Sequence, residues 1–378
     1  MHPMPLPPSP PAVVLPSGAS DTISGLPDIP SDFDISLGLQ KAWKSGAIPI
    51  SAAPDNVGAF RFICGPGQVL ADDPIMYPGQ PGKSHLHQFY GATGANAYST
   101  YASLRKDGSP STCQVGAAHV LNRSAYWMPA LLDGQGNVVR PDYVSIYYKR
   151  RPLRDPTCSD AKNPKFMGYC VPLPNGLKFI FGRDMTNLSA RPTGNFHFLC
   201  QTRGGAVVVN STRDMNVALA GCPVGDQFAA IGDAPDCWDG KNLDSADHRS
   251  HVAYPSYKYG WDGALRCPRT HPYVIASFTI GARWTVQPGD DTSKWIFSSD
   301  LVMHQPRGTT FHADWFGAWD NKALAMWTRD GCVDNLLNCS GGDLGNGFQL
   351  IGAASPGPLK NRLVPLSQVP GDAAAVSR

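Results

Sequence analysis

The sequence predicts a mainly β protein: a β-sandwich or jelly-roll-like core with a few short helices and long, disulfide-braced loops. Three observations predict it. Short runs of β-branched and aromatic residues alternate with turn residues. The 378 residues include 39 Gly and 35 Pro, the strongest punctuators of a chain. All 30 acidic residues are Asp, so Glu, a good helix former, is missing altogether.

Taken in order, residues 1–55 read as a Pro-rich tether and an irregular approach segment. Residues 56–354 read as a single β-rich domain, with no internal repeat and no linker strong enough to split it. Residues 355–378 read as a flexible tail. Within the domain, strands are predicted at YVSIYYKR (143–150), GLKFIFGRDM (176–185), NFHFLCQT (195–202) and AVVVN (206–210). QFAAIG (227–232), YVIASFTIGARWTV (273–286) and KWIFSS (294–299) continue the series. Gly, Pro, Asn and Asp sit between them, as tight turns require. Two stretches read as helices. STYASLRKDG (99–108) opens with a Ser able to cap the first turn. In NKALAMWTRDGCVDNLLN (321–338) apolar residues recur every three or four positions.

Ten cysteines are scattered along the chain without a C-x-x-C pair. That spacing disfavours zinc ribbons and thioredoxin-type motifs and predicts disulfides formed in an oxidising compartment. Cys158 with Cys170, and Cys332 with Cys339, read as local pairs. The expected location is extracellular or periplasmic, although MHPMPLPPSPPAVVLPSG shows no signal-peptide pattern. No apolar run approaches the ~20 residues of a membrane span. Only 16% of residues are charged and the formal net charge is +2, which argues against a nucleic-acid partner. The missing Glu also excludes the helical zinc-protease motif and the EF-hand loop.

The chemistry centres on histidine. KSHLHQFYGATGANAYSTY (83–101) holds His85 and His87 one residue apart. On a strand, alternation points both rings to one face, an economical way to offer two nitrogen ligands to a metal. DSADHRSHVAYP (244–255) adds Asp247, His248 and His251, the two histidines sharing a face only on a helical turn. FHADWFGAWD (311–320) adds His312 and Asp314, again at i, i+2. The bland alternative is that these are half-buried core histidines bonded to backbone. Imidazole donors with one carboxylate suit a transition metal, with zinc or copper first, over calcium. Asp314 and Asp247 are the carboxylates placed to orient a ligand or act as base.

Other motifs are weaker. There is no G-x-S-x-G elbow and no P-loop. YYKRRPLR (147–154) suits an acidic polymer or a solvated strand end, and SGGDLGNGF (340–348) a calcium loop or an ordinary turn. Asp236 and Asp239 could serve as the carboxyl pair of a glycosidase, but spacing in sequence fixes no distance.

Several blocks together resemble one family. They include FICGPGQVLADDPIMYPGQPGKSHLHQFYG, RSAYWMPALLD, NGLKFIFGRDM, CWDGKNLDSADHRSHVAYP, CPRTHP and FHADWFGAWD, in order from about residue 60 to about 330. The chain resembles the secreted "domain of unknown function" family numbered nineteen-ninety-six, found in fungi and bacteria. Some fungal members carry an added WSC carbohydrate-binding module, so the resemblance implies cell-wall or polysaccharide surroundings. It brings no reaction. It does place all three histidine groups inside the family's signature blocks.

The expectation is therefore a His-ligated, metal-dependent enzyme acting on extracellular polysaccharide or cell-wall glycan. One alternative is a metal-independent glycoside hydrolase or polysaccharide lyase using Asp, His and Tyr. Another is a non-catalytic carbohydrate- or metal-binding envelope protein.

Overall fold

The computed structural model describes residues 25–52, 57–106, 108, 110–114, 116–189, 195–259, 265–352 and 359–370. The N-terminal part of the expected tether and the end of the expected tail lie outside them. The protein is mainly β, with few short helices, as the turn-rich sequence predicts.

Two sheets make the body. The larger has seven strands, in the order Val207–Thr212, Asn195–Gln201, Gln227–Asp233, Ser277–Thr285, Tyr143–Arg150, Gly58–Cys64 and Asn338–Cys339. Its pairs are antiparallel except the last, which is parallel. The second sheet has five antiparallel strands: Lys178–Gly182, His312–Phe316, Ala125–Pro129, His87–Gly91 and Val69–Leu70.

Alternation explains the larger sheet. In Tyr143–Arg150 every second residue is buried: Val144, Ile146 and Tyr148 turn inward. The register sets Phe278 and Phe60 beside Tyr148, and Ile280 and Phe62 beside Ile146, so the inward rows line up. The inner face of the five-stranded sheet supplies Tyr90, Tyr126, Phe179, Phe181 and Trp315 to the same core. The two layers meet through rings. Phe278 lies 5.2 Å from Trp315 and 5.8 Å from Phe181, centroid to centroid. The hydroxyls of Tyr126 and Tyr148 are 2.9 Å apart. Rings from both sheets thus share one apolar core.

The outer face of the five-stranded sheet is not left to water. Phe89, Trp127, Ile180 and Phe316 form a second apolar cluster there with Ile75 and Ala95 from covering loops and Leu104 from the helix Tyr101–Lys106. A strand buried on both faces shows no polar alternation, and Ala125–Pro129 is buried at every position.

Helices are shorter than predicted. The first spans Tyr101–Lys106. The second spans only Asn321–Trp327, because the Thr328 hydroxyl bonds back to the Leu324 carbonyl and the chain then turns into a disulfide loop. Asp320 caps its start, accepting from the Lys322 and Ala323 amides. Peripheral segments also grip the core: Leu39–Lys41 pairs with Phe348–Leu350, and Leu363–Pro365 with Asn137–Val139.

All ten cysteines pair: 64–113, 158–170, 200–222, 237–267 and 332–339. Both predicted local pairs are among them. Five disulfides suggest an extracellular fold. Among the described residues no helix is long and apolar enough to cross a membrane.

Candidate metal centre

His87 opens the strand His87–Gly91, and His85 stands just before it. Alternation throws both rings outward, and their centroids are 4.2 Å apart. His312 opens the strand His312–Phe316, two places away in the same sheet. There Ala313 and Trp315 face the aromatic core while His312 and Asp314 face the other way. The His312 ring lies 5.1 Å from His85 and 5.8 Å from His87. One nitrogen from each ring falls within 4.8 Å of the others, a group able to hold a metal ion. The three residues are 8%, 0% and 3% exposed, so they lie beneath the surface.

The hydrogen bonds fix which nitrogen points inward. Nδ1 of His87 is 3.0 Å from the Asp72 carbonyl, and Nδ1 of His312 is 2.8 Å from the Thr310 carbonyl. Nδ1 of His85 lies 3.2 Å from the Leu86 carbonyl and 3.1 Å from the Ser298 hydroxyl. A carbonyl can only accept, so each Nδ1 carries the proton and each Nε2 keeps its lone pair. This is the support that orients histidine ligands around a metal. The supporting carbonyls are themselves held. The Asp72 carboxylate accepts from the Gly82 and Ala97 amides, both at 2.9 Å. Thr310 donates its amide and its hydroxyl to buried Asp300.

Electrostatics keeps the rings neutral. Burial, and then the neighbouring ring of His312, pushes His87 down to about 3. Burial and the other rings likewise hold His85 and His312 well below the usual histidine range. Neutral imidazole is the form that binds metal. Nε2 of His85 and of His87 is buried with no hydrogen-bond partner among the described residues. Buried polar atoms without partners are uncommon, and here two belong to the group whose ligand nitrogens lie within 4.8 Å of one another.

Asp314 adds to the picture. It is fully buried, and neither carboxyl oxygen has a hydrogen-bond partner among the described residues. One oxygen lies 3.8 Å from Nε2 of His312. Burial, then the nearby Asp73 carboxylate, pushes its carboxyl well above the usual range, while the Arg249 guanidinium opposes them. Three imidazole nitrogens and a buried carboxyl fit a first-row transition metal.

The other candidates do not join this group. His248 takes a left-handed backbone (φ 56°) and its Nδ1 sits 2.7 Å from Asp244. Both ring nitrogens of His251 are used: Nε2 donates to the Lys178 carbonyl at 3.0 Å, and Nδ1 meets the Ser245 hydroxyl at 2.8 Å. One oxygen of Asp247 accepts from the Arg249 and Ser250 amides and the Ser245 and Ser250 hydroxyls. Burial acts to raise this carboxyl, but together these bonds, those from Ser250 first, hold it below the usual range, which suits a loop-organising carboxylate rather than a base. The helical turn that would have paired His248 with His251 is replaced by a tight loop along the edge strand Lys178–Gly182. There Lys178 and Ile180 donate their amides to the Leu243 and His248 carbonyls. Asp239, the other half of the supposed carboxyl pair, spends one oxygen on the Lys241 and Asn242 amides.

Two residues near the centre escaped sequence reasoning. Arg249 donates to the Ile180 and Arg183 carbonyls, and its charge bears on Asp314 and His312. Asp73, half of the acidic doublet in LADDP, caps the next turn and bears on Asp314. The doublet beside the His85/His87 block was the available signal.

Fold and site together define a disulfide-bonded, mainly β protein with a buried three-histidine pocket able to hold a metal ion. The model of the family described as "Domain of unknown function (DUF1996)" matches residues 73–319. The chain belongs to that family, and the matched span contains every residue of the pocket. No curated protein and no solved structure matches the chain.

Proposed function

We propose that this protein is an exported metalloenzyme whose His85, His87 and His312 hold zinc or copper, and that it acts on extracellular polysaccharide. One observation carries the metal half: ligand nitrogens of three buried, neutral histidines lie within 4.8 Å of one another, each ring is held through Nδ1, and Nε2 of His85 and of His87 has no partner among the described residues. A bound transition ion supplies Lewis acidity and a water of lowered pKa. The chain's own part is to hold the rings in one tautomer and keep a protonatable carboxyl, Asp314, beside them. Export is supported by the five disulfides. The glycan half is supported by the carbohydrate-binding modules that some family members carry.

The test is elemental analysis of protein made in an oxidising compartment, beside a His85→Ala/His87→Ala variant. About one equivalent of zinc or copper in the wild type and little in the variant is expected, with turnover of a glycan lost on chelation. Full activity after rigorous metal removal would sink the metal half. The depth of the three rings favours a second reading, a closed, non-catalytic metal site. Cobalt substitution separates the two: azide alters the visible spectrum only where a coordination position is open.

A further inference from the structure

A second pocket is lined by residues that flank the strands Lys178–Gly182 and His312–Phe316 and by residues of Asn195–Gln201 and the segment after Val207–Thr212. Arg183 directly follows the strand Lys178–Gly182, in which Gly182 pairs with His312. Its amide donates to the Phe311 carbonyl at 2.9 Å. The chain from Pro306 to Thr309 forms another wall and runs on to His312. Between them is a partly open pocket of about 480 Å³.

Its charge is lopsided. Arg183, Arg213 and Arg307 line it against one carboxylate, Asp214. That carboxylate is already engaged, accepting from the Asn216 amide at 2.8 Å and its side-chain amide at 3.0 Å. Arg307 is braced, donating to the carbonyls of Thr292 and Trp295 and to the Asn216 side chain. The Arg213 guanidinium lies 5.2 Å from the centroid of the Phe196 ring. Arg183 is 7% exposed and donates to the Leu188 carbonyl, yet its Nε is buried with no partner. The Arg183 Nε–H has no acceptor among the described residues, and with two further arginines in the lining it makes a donor set of the kind that binds an anion. Phe196 adds an apolar side chain to the lining.

We propose that this pocket binds an acidic sugar unit, one carrying a carboxylate or a sulfate ester, and so holds an acidic polysaccharide against the metal centre. The inference rests on the glycan half of the function proposed above and narrows its substrate class. A neutral glucan offers no charge to an arginine-lined pocket. A uronate or sulfated unit does, and Arg planes accept either anion through paired N–H donors.

Calorimetric titration of the full chain tests it with three probes: an oligogalacturonate, a sulfated oligosaccharide and a neutral cello-oligosaccharide. Binding of either anionic probe, weakened by salt and absent for the neutral one, is expected. Which of the two binds names the anion. Arg213→Gln, on the exposed rim, weakens binding about tenfold, the scale of one charged hydrogen bond. Arg183→Gln does so more strongly, and its melting temperature shows whether it folds. Equal binding of the neutral probe, or unchanged binding in Arg213→Gln, overturns the proposal. So does binding of inorganic sulfate alone with no oligosaccharide. Repeating the titration on chelator-treated protein and on His87→Ala separates the two claims. Binding that survives there stands whatever the metal result, and a metal centre with no anionic-sugar binding refutes the pocket alone.

Discussion

Stripping and restoring the metal reports on the histidine pocket through the stability of the whole fold. Without an ion, four buried polar atoms there have no partner: Nε2 of His85, Nε2 of His87, and both carboxyl oxygens of Asp314. Each such atom costs about 1–3 kcal/mol, so the empty pocket opposes folding by roughly 4–12 kcal/mol. That is comparable to the net stability of a typical domain, about 5–15 kcal/mol. An ion supplied at about 1,000 times its Kd stabilises the native state by about 4 kcal/mol. Unfolding entropy for 378 residues is near 0.8 kcal/mol/K at about 2.1 cal/mol/K per residue. The melting temperature should therefore rise by about 5 °C on adding zinc or copper to chelator-treated protein. Scanning calorimetry measures this, with His87→Ala as control, where the shift should fall below about 1 °C. Equal melting temperatures for treated and reloaded wild type, with no metal retained on dialysis, would refute the reasoning.

Four further outcomes are expected. Asp314→Asn should weaken metal retention about 10–100-fold in a competition titration, as loss of a supporting carboxylate does. His251→Ala should cost about 1–3 kcal/mol by orphaning the Lys178 carbonyl, while metal stoichiometry by elemental analysis stays that of the wild type. Replacing Cys64 and Cys113 with Ala opens a loop of sequence separation 49 and should cost about 4 kcal/mol in a denaturant melt; a cost under about 1 kcal/mol counts against it. Burial pushes Asp236 up to about 7, so between about pH 4 and 7 the folded protein keeps a proton that the unfolded chain has lost. That group's contribution is lost as pH rises. Asp236→Asn, equal to wild type near pH 4, should be more stable by about 2 kcal/mol at pH 8, half the full value because the residue is only partly buried.

The sequence disclosed the centre better than its surroundings. His85-Leu-His87 and His312-Ala-Asp314 were legible because strand alternation is a local rule, and each pair needed only its own strand to be right. That the two pairs meet depends on Ala125–Pro129 running between their strands. That strand is short, ends in Pro and is buried on both faces, so it carried no period-2 signal. Asp247, His248 and His251 misled because their spacing suits a helical turn. The actual loop is set by Asp244 and Asp247 bonding nearby groups, and by a left-handed His248 that sequence pattern does not announce. Arg249 went unremarked because its guanidinium is aimed by two backbone carbonyls far away in sequence. The scattered disulfides were legible as a class, and as pairs only where the loop was short.

The strand Phe316 to His312 is read on two sides at once. One side gives the sandwich Trp315 and Ala313; the other gives the pocket Asp314 and His312. A one-residue slip against Lys178–Gly182 or Ala125–Pro129 would swap the two sets, placing a carboxylate among the aromatic rings and an indole among the imidazoles. No partly misregistered chain can therefore be sound in the core yet wrong in its chemistry. The register that packs the core also sets the histidine pocket.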